Sequence, residues 1–349
     1  MTAAKELRVS DDDITYYIVP GSTADISFEG NQLEDTIFGA AYSSSETGLI
    51  NWTVSGNAMY RGFAGYNSTV RRSGPTPTSF TNEAMSQVDN TQTYRITDDT
   101  KSVWDWTAGV TIYDGASEVA ASNIESINYL FGEVTFVSSY SPTGAITADG
   151  DYLTMSAYGC ANSFSLTQSA DTTDTSCFET VQANGGFATF RPTLLTADLE
   201  LNGFYRAEND GFGQLNDRSE FVIELDVAGD GSSITRGIYK IGSYSQSGDV
   251  GGDEEFTLSL TLSVPENVKP FGWRHLATST IPTGLLKILT AYENRSNIYV
   301  EYMPEGQSEY GYTGEVIVTD TSISSGVDAM VEASLSFQGT GAVSEVNPI

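Results

Sequence analysis

The residues that could do chemistry in this chain are few and badly spaced for it. A nucleophile activated in the Ser-His-Asp or Cys-His manner needs a histidine, and the sequence has one, His275, within Phe271-Gly-Trp-Arg-His275. That context reads as a packed turn beside a helix. Carboxylates that could pair as general acid and base are so numerous that no pair singles out a glycosidase. The acidic runs from Asp226 to Asp230 and from Asp249 to Glu255 could attract a cation, yet neither has the ligand spacing of an EF-hand loop, and both read as solvated turns. The glycines of Gly248-Asp-Val-Gly-Gly-Asp lack the lysine and the donors that a phosphate cradle needs. Cys160 and Cys177 are too few for a disulfide framework and lack metal-ligand spacing, so two reduced structural thiols are expected. No catalytic residue, metal or cofactor is expected.

Charge narrows the partners. The 349 residues include 46 acidic and 16 basic ones, a formal net charge of −30. Affinity for nucleic acid and for anionic membrane rests on Lys and Arg, so neither is expected as a binding partner. An acidic surface does suit a wall past which DNA moves without sticking, and it equally suits plain solubility. Met1 to Asp13 is polar, with no apolar segment of signal-peptide type, and no run approaches the ~20 apolar residues of a spanning helix. Synthesis and retention in a cytoplasm is the resulting expectation.

The elements that must position these residues are strands. Phe256, Leu258, Leu260, Leu262 and Val264 alternate with Thr257, Ser259, Thr261 and Ser263, as a strand with one buried and one wet face requires. The same alternation recurs in Val331 to Gln338, Asp198 to Asn202 and Ile50 to Ser55, and further strands read at Thr15–Val19, Ala24–Phe28, Tyr94–Thr97, Gly109–Tyr113, Ile127–Leu130, Glu133–Val137, Tyr152–Ala157 and Asn162–Thr167. Asp114-Gly115, Asp149-Gly150 and Gly229-Asp230-Gly231 read as turns. Thr283 to Glu293, with Leu285, Ile288, Leu289 and Tyr292 at helical spacing after Pro282, reads as one short helix. An all-β fold, an antiparallel sandwich or barrel, follows. The segment 62–92, rich in Gly, Ser, Thr, Asn and Pro around Arg71-Arg72, reads as a long loop.

Part of the chain is written twice. A shift of 77 positions lays Asp217-Arg218-Ser219 on Asn294-Arg295-Ser296, Glu224 on Glu301, Gly229 on Gly306, Gly237 on Gly314 and Leu258-Ser259 on Leu335-Ser336, giving a tandem repeat of about 213–264 and 290–341. Gly211, Gly213 and Asn216 stand where the second copy has its helix, which predicts a shortened or missing helix in the first.

The series from the Phe256 strand through the Thr283 helix, Ile298 to Met303, Tyr312-Thr-Gly-Glu-Val-Ile-Val-Thr-Asp and Val331 to Phe337, closing on Gln338-Gly339-Thr340-Gly341, resembles the major tail tube protein of long-tailed, siphovirus-type bacteriophages. The resemblance covers about Thr196 to the C-terminus. Tyr94-Arg-Ile-Thr-Asp, Val110-Thr-Ile-Tyr-Asp-Gly and Tyr129-Leu-Phe-Gly-Glu-Val-Thr-Phe are more loosely similar to the N-terminal portion of siphophage tail proteins. The chain is about twice the length of a single tube domain. Either two tube-like units are fused or an extra β module precedes one enlarged unit; the division expected is an N-terminal β module, 1–195, and a tail-tube-like region, 196–349.

The resemblance implies a structural virion protein, not an enzyme. Its copies would form stacked hexameric or pseudo-hexameric rings, three two-unit chains replacing six single-unit ones, around a channel through which double-stranded DNA leaves. Its partners would be further copies of itself, the tape measure, terminator and distal tail proteins, and DNA in transit, with no membrane. On that reading Glu224, Asp226, Thr257, Ser259, Thr261, Glu301, Glu332, Ser334 and Ser336 are candidates to face the lumen; the same polar faces would equally cover the outside of a sandwich. Arg71, Arg72, Pro75, Pro77 and Phe80 are candidates for a loop that orders on meeting the next ring. A tail terminator shares the expected fold and would fail to polymerise. A carbohydrate-binding or adhesin module would instead show an aromatic platform, drawn from Trp52, Trp104, Trp106 or Trp273.

Overall fold

The computed structural model describes residues 5–34, 45–89, 91–205, 215–248, 254–276, 281–306 and 310–346. The elements in chain order begin with β1 (Glu6–Ser10), β2 (Tyr17–Val19), β3 (Gly21–Glu34), β4 (Ser45–Ala64), β5 (Thr69–Ser73), β6 (Thr78–Gln87) and β7 (Thr93–Ile96). They continue with β8 (Val110–Asp114), β9 (Ser117–Glu118), β10 (Ile124–Asn128), β11 (Glu133–Phe136), β12 (Ile146–Tyr152), β13 (Met155–Ala157) and β14 (Cys160–Asp174). After α1 (Phe178–Ala183) come β15 (Phe190–Phe204), β16 (Phe221–Asp226), β17 (Ser233–Gly248), β18 (Glu254–Leu262) and β19 (Phe271–His275). The chain then forms α2 (Thr283–Asn294), β20 (Ile298–Met303), β21 (Gly311–Gly326) and β22 (Met330–Val346). Every pairing with a described register is antiparallel, so the fold is all-β with few helices, as the alternation predicts.

Two compact units form, and neither is a continuous half of the chain. One comprises Met1–Tyr66, Ser165–Ala197 and Thr280–Ile349; the other comprises Asn67–Phe164 and Asp198–Ser279. Each holds one copy of the repeat. In the second unit β16 pairs β17 with Phe221 opposite Tyr239; in the first, β20 pairs β21 with Ile298 opposite Val316, the same pair 77 residues on. The match extends to irregularities. The β17–β18 ladder shifts register between Ile241 and Ser243, and the β21–β22 ladder shifts between Val318 and Asp320, again 77 residues on. Even the left-handed residue before the first strand of each copy is shared, Arg218 with φ 54° and Arg295 with φ 53°.

The duplication runs beyond the repeat visible in sequence. β1 pairs β20 with Arg8 opposite Glu301, and β5 pairs β16 with Arg71 opposite Glu224, so β1 and β5 are counterparts. β2 then flanks β1 as β13 flanks β5. β4 flanks β22 with Gly56 opposite Leu335, as β15 flanks β18 with Leu201 opposite Leu258. Among the described residues the units differ most in one connection. Residues 11–16 join β1 to β2, whereas 74–154 join β5 to β13 and contain a seven-stranded sheet in the order β10-β11-β7-β6-β12-β8-β9. Phe80, Met85, Ile96, Trp104, Ile112, Val119, Val134, Phe136 and Ile146 form its core.

This corrects the loop expected at 62–92. Residues 69–73 and 78–87 are strands, the alternation being hidden because their buried positions are spaced out as Ser73, Phe80 and Met85 among hydroxyl residues; Asn90 lies outside the described residues. Asp149-Gly150 is likewise strand, at a register irregularity in β12. His275 ends β19, paired with Ser233 of β17, and is not in a turn. The expected strand over Tyr152–Ala157 breaks at Leu153 and Thr154. The helix forms as read, burying Leu285, Ile288, Leu289 and Tyr292. Its counterpart in the first copy is helical at 215–217; Gly211 and Gly213 lie outside the described residues.

In the first unit, Trp52 of β4 explains the Gly-Thr-Gly within β22. The indole is buried and its Nε1 donates to Gly341 O at 3.0 Å. A Cβ on Gly339 would stand 2.0 Å from the indole ring, and Gly341 has φ +95°. Gly339→Ala should therefore lower stability by about 1–3 kcal/mol through overpacking, measured as a lower urea midpoint at unchanged slope.

Candidate functional site

Glu224, Asp226 and Glu301, which the sequence put on a wet face, are instead buried inside the units. In the second unit, Glu224 on β16 lies between two arginines of the flanking strands. Arg236 of β17 donates Nε to Glu224 Oε2 at 2.8 Å and brings Nη2 within 2.6 Å, and Arg71 of β5 places Nη1 3.4 Å from Oε1. Arg236 Nη1 also donates to Ser102 Oγ at 2.8 Å and Leu130 O at 2.7 Å, and its guanidinium sits 5.1 Å from the Phe131 ring. The buried arginine thus ties the meander to the residues between β5 and β13. Burial pulls its pKa below the usual guanidinium value, while Glu224 acts against that shift. In the first unit Arg8 Nη1 donates to Glu301 Oε2 at 3.0 Å, and Arg8 Nη2 reaches Glu6 Oε2 at 2.7 Å.

β16 is buried along its whole length, so both its faces are covered and a carboxylate on it must find a counter-ion or hydrogen-bond donors. The partners come from neighbouring strands, Arg236 from 12 residues away and Arg71 and Arg8 from 153 and 293, and period-two reading, blind to strand pairing, assigned Glu224 and Glu301 to solvent. Asp226 is also buried. Its carboxylate accepts from the backbone N–H groups of Ala228, Gly229 and Gly231 at 3.1, 2.9 and 2.8 Å, forming the turn into β17. Desolvation raises its pKa against those hydrogen bonds. None of the three carboxylates has the access that proton transfer to a substrate would need.

The other six candidates do lie on open faces. Thr257, Ser259 and Thr261 of β18 stand beside Ser245, Ser243 and Lys240 of β17, with Asn202 and Glu200 of β15 on the other side. Glu332, Ser334 and Ser336 of β22 stand beside Ser324, Ser322 and Asp320 of β21, with Met59, Asn57 and Ser55 of β4 beyond. Each unit so presents a three-strand face of hydroxyls, amides and carboxylates; Lys240 is the one cation among these residues. The flanking Ser55, Glu200 and Asn202 were legible as alternating strands, but their place beside β22 and β18 was not, and Asn57 lay beyond the strand read from sequence.

The residues proposed as a loop part company. Arg71 pairs with Glu224, Arg72 lies over the Phe221 ring at 4.6 Å, Pro75 and Pro77 are exposed between β5 and β6, and Phe80 is in the core stacked on Trp104. Trp52 and Trp104 are buried and offer no binding platform. Cys160 and Cys177 are both thiols. Among the described residues, no helix is long and apolar enough to cross a membrane, and no three His, Cys, Asp or Glu side chains are grouped to hold a metal.

His275 stacks on Trp273 at 5.6 Å, with Nδ1 3.1 Å from Ser233 Oγ. Burial lowers its pKa to about 4. The unfolded chain, titrating near 6.5, takes up this proton first, so the contribution of neutral His275 is full above about pH 6.5 and is lost as pH falls toward 4. Melting temperature should fall more steeply between those limits in the wild type than in His275→Gln, measured in parallel scans.

The fold and these faces define a duplicated antiparallel β protein whose buried polar groups hold strands together. No family model matches the chain, and no curated protein matches it. Among solved structures the chain is similar, at 13% identity and a TM-score of 0.29, to one described as the virion of a native gene transfer agent particle, covering 35% of this chain and 89% of that one. A second, the tail of an empty gene transfer agent particle with C6 symmetry, gives 14% identity and 0.28 over 32% and 84%. The SPP1 tail tube gives 15% and 0.18 over 41% and 75%.

Glu224→Ala, which strands Arg236 in the interior, should cost about 3–5 kcal/mol in denaturant unfolding. Glu301→Ala should cost less, because Arg8 keeps Glu6.

Proposed function

We propose that the chain is a structural subunit of a phage-type tail tube, assembling with copies of itself into stacked rings that conduct double-stranded DNA. The observation that carries this reading is the exact-register duplication of a β meander together with long strands whose outer edges are open among the described residues. A unit of this kind buries its edges by joining another, which is how an assembly protein differs from a self-contained sandwich. With two units per chain, three copies would occupy the six positions of a pseudo-hexameric ring. Tape measure, terminator and distal tail proteins are the expected neighbours of such a tube.

The hydroxyl and carboxylate faces of β18 and β22 are the proposed channel lining. A wall of Thr257, Ser259, Glu332, Ser334 and Ser336 offers phosphates no cations whose counter-ions could be released, so DNA slides and is not retained. Electron microscopy of the concentrated protein tests the reading: rings or hollow tubes are expected, and a persistent monomer would refute self-assembly. Changing Ser259, Ser334 and Glu332 together to Lys should leave tubes intact and make them retain duplex DNA in a salt-dependent manner, scored by co-sedimentation. Unchanged retention would put these faces on the outside.

A further inference from the structure

The two long central strands of the repeat are counterparts in sequence and register, yet their second halves are covered differently. In the first unit β22 occupies one side of β21 from Gly311 to Ser324, and β20 occupies the other only as far as Val316. A strand has two hydrogen-bonding sides, so β14, the remaining neighbour of β21, takes the side that β20 leaves. Under that cover Ile317, Val318, Thr321, Ile323 and Ser325 are buried, and Thr321 Oγ1 donates to the buried Gln168 Oε1 at 3.1 Å. In the second unit β18 occupies one side of β17 through Gly248, and β16 covers the other only as far as Tyr239. Beyond it Ser243, Ser245, Gln246, Ser247 and Gly248 are exposed, and among the described residues no strand pairs with that side.

The chain also carries a second copy of the element that does the covering. β14 belongs to a hairpin with β15, and the counterpart of β15 is β4, whose hairpin partner is β3. The registers agree. Ser169 and Thr196 hydrogen-bond across β14 and β15 at 2.7 Å, and Glu29 faces Asn51 across β3 and β4, Thr196 and Asn51 being equivalent through Leu201 and Gly56. Phe28 is therefore the counterpart of Gln168. Among the described residues β3 pairs with β4 alone, and it exposes Phe28 (43%) and Leu33 (58%) on an open strand 14 residues long. Such an edge invites aggregation unless something covers it.

We infer that β3 of a second copy of this chain adds to the second half of β17, as β14 adds to β21. Phe28 of that copy then lies beside Tyr244, the position 77 residues before Thr321. The donating and accepting surfaces differ, so the contact is head-to-tail: each copy gives one hairpin and receives one, and addition continues until a ring closes. The inference rests on the tube reading and names the strands that meet within a ring.

The test is a Phe28→Cys, Tyr244→Cys double variant in a Cys160→Ser, Cys177→Ser background, bridged by a short bis-maleimide under conditions where the wild type scatters light as an assembly. A denaturing gel should show a ladder of multiples ending at a closed ring, with no ladder from either single cysteine. Assembly without cross-linked multimers would overturn the pairing and leave the tube reading standing. Absence of assembly in the wild type would overturn both. Leu33→Asp, which spares the packing of Phe28 on Tyr312, provides the second measurement: the concentration needed for assembly should rise on the order of tenfold or more, with thermal stability unchanged, and an unaltered threshold would refute the role of β3.

Discussion

A β-strand carries donors and acceptors along both sides, and every side left without a partner has to be paired, wetted or covered. This requirement organises the chain more than any single contact. It accounts for β14 lying on the half of β21 that β20 leaves, for the helix α2 packing on β1, β2 and β21, and for the Tyr292 hydroxyl lying 2.6 Å from Thr196 O and 3.0 Å from Ser169 O. The ionic links follow from the same geometry. Once β16 and β20 are flanked on both sides, Glu224 and Glu301 lie opposite Arg71 and Arg8 on equivalent strands, while the buried Asp226 accepts from backbone N–H groups.

Much of this was legible because duplication multiplies weak signals. The 77-residue shift marks β16 to β18 and β20 to β22 as one motif, and the ladders repeat it down to the position of the bulge. The helix was legible from four apolar positions, and β18 and β22 from strict alternation. What failed was information that lies in neither periodicity nor repeat. β5 and β6 present Ser73, Phe80 and Met85 inward amid polar residues, so their strand character comes from pairing with β16 and β12. The counterparts β1 and β5 share almost no sequence apart from an arginine and a following serine two positions on, Arg8 with Ser10 and Arg71 with Ser73.

The candidate lining divided along the same line. Alternation assigned Thr257 and Ser334 to an open face correctly because β18 and β22 each cover a core on one side only. It misplaced Glu224 and Glu301 because a strand buried on both faces shows no alternation in burial, and the compensating arginines, Arg236, Arg71 and Arg8, are brought in by strand pairing that periodicity does not show. Charge in this protein is thus found both paired and buried between strands and carried on the wet faces, where Glu332 and Glu200 are exposed.

The seven-stranded sheet between β5 and β13 has no counterpart in the six-residue link between β1 and β2. It breaks the equivalence of two otherwise matched units, as a tooth missing from every second position breaks the symmetry of a gear. In any ring of these copies the core strands would repeat twice as often as this module does. An averaging procedure that imposed the finer rotation would keep the meanders sharp and smear residues 78–152, so the module fixes the true periodicity of whatever the chain builds.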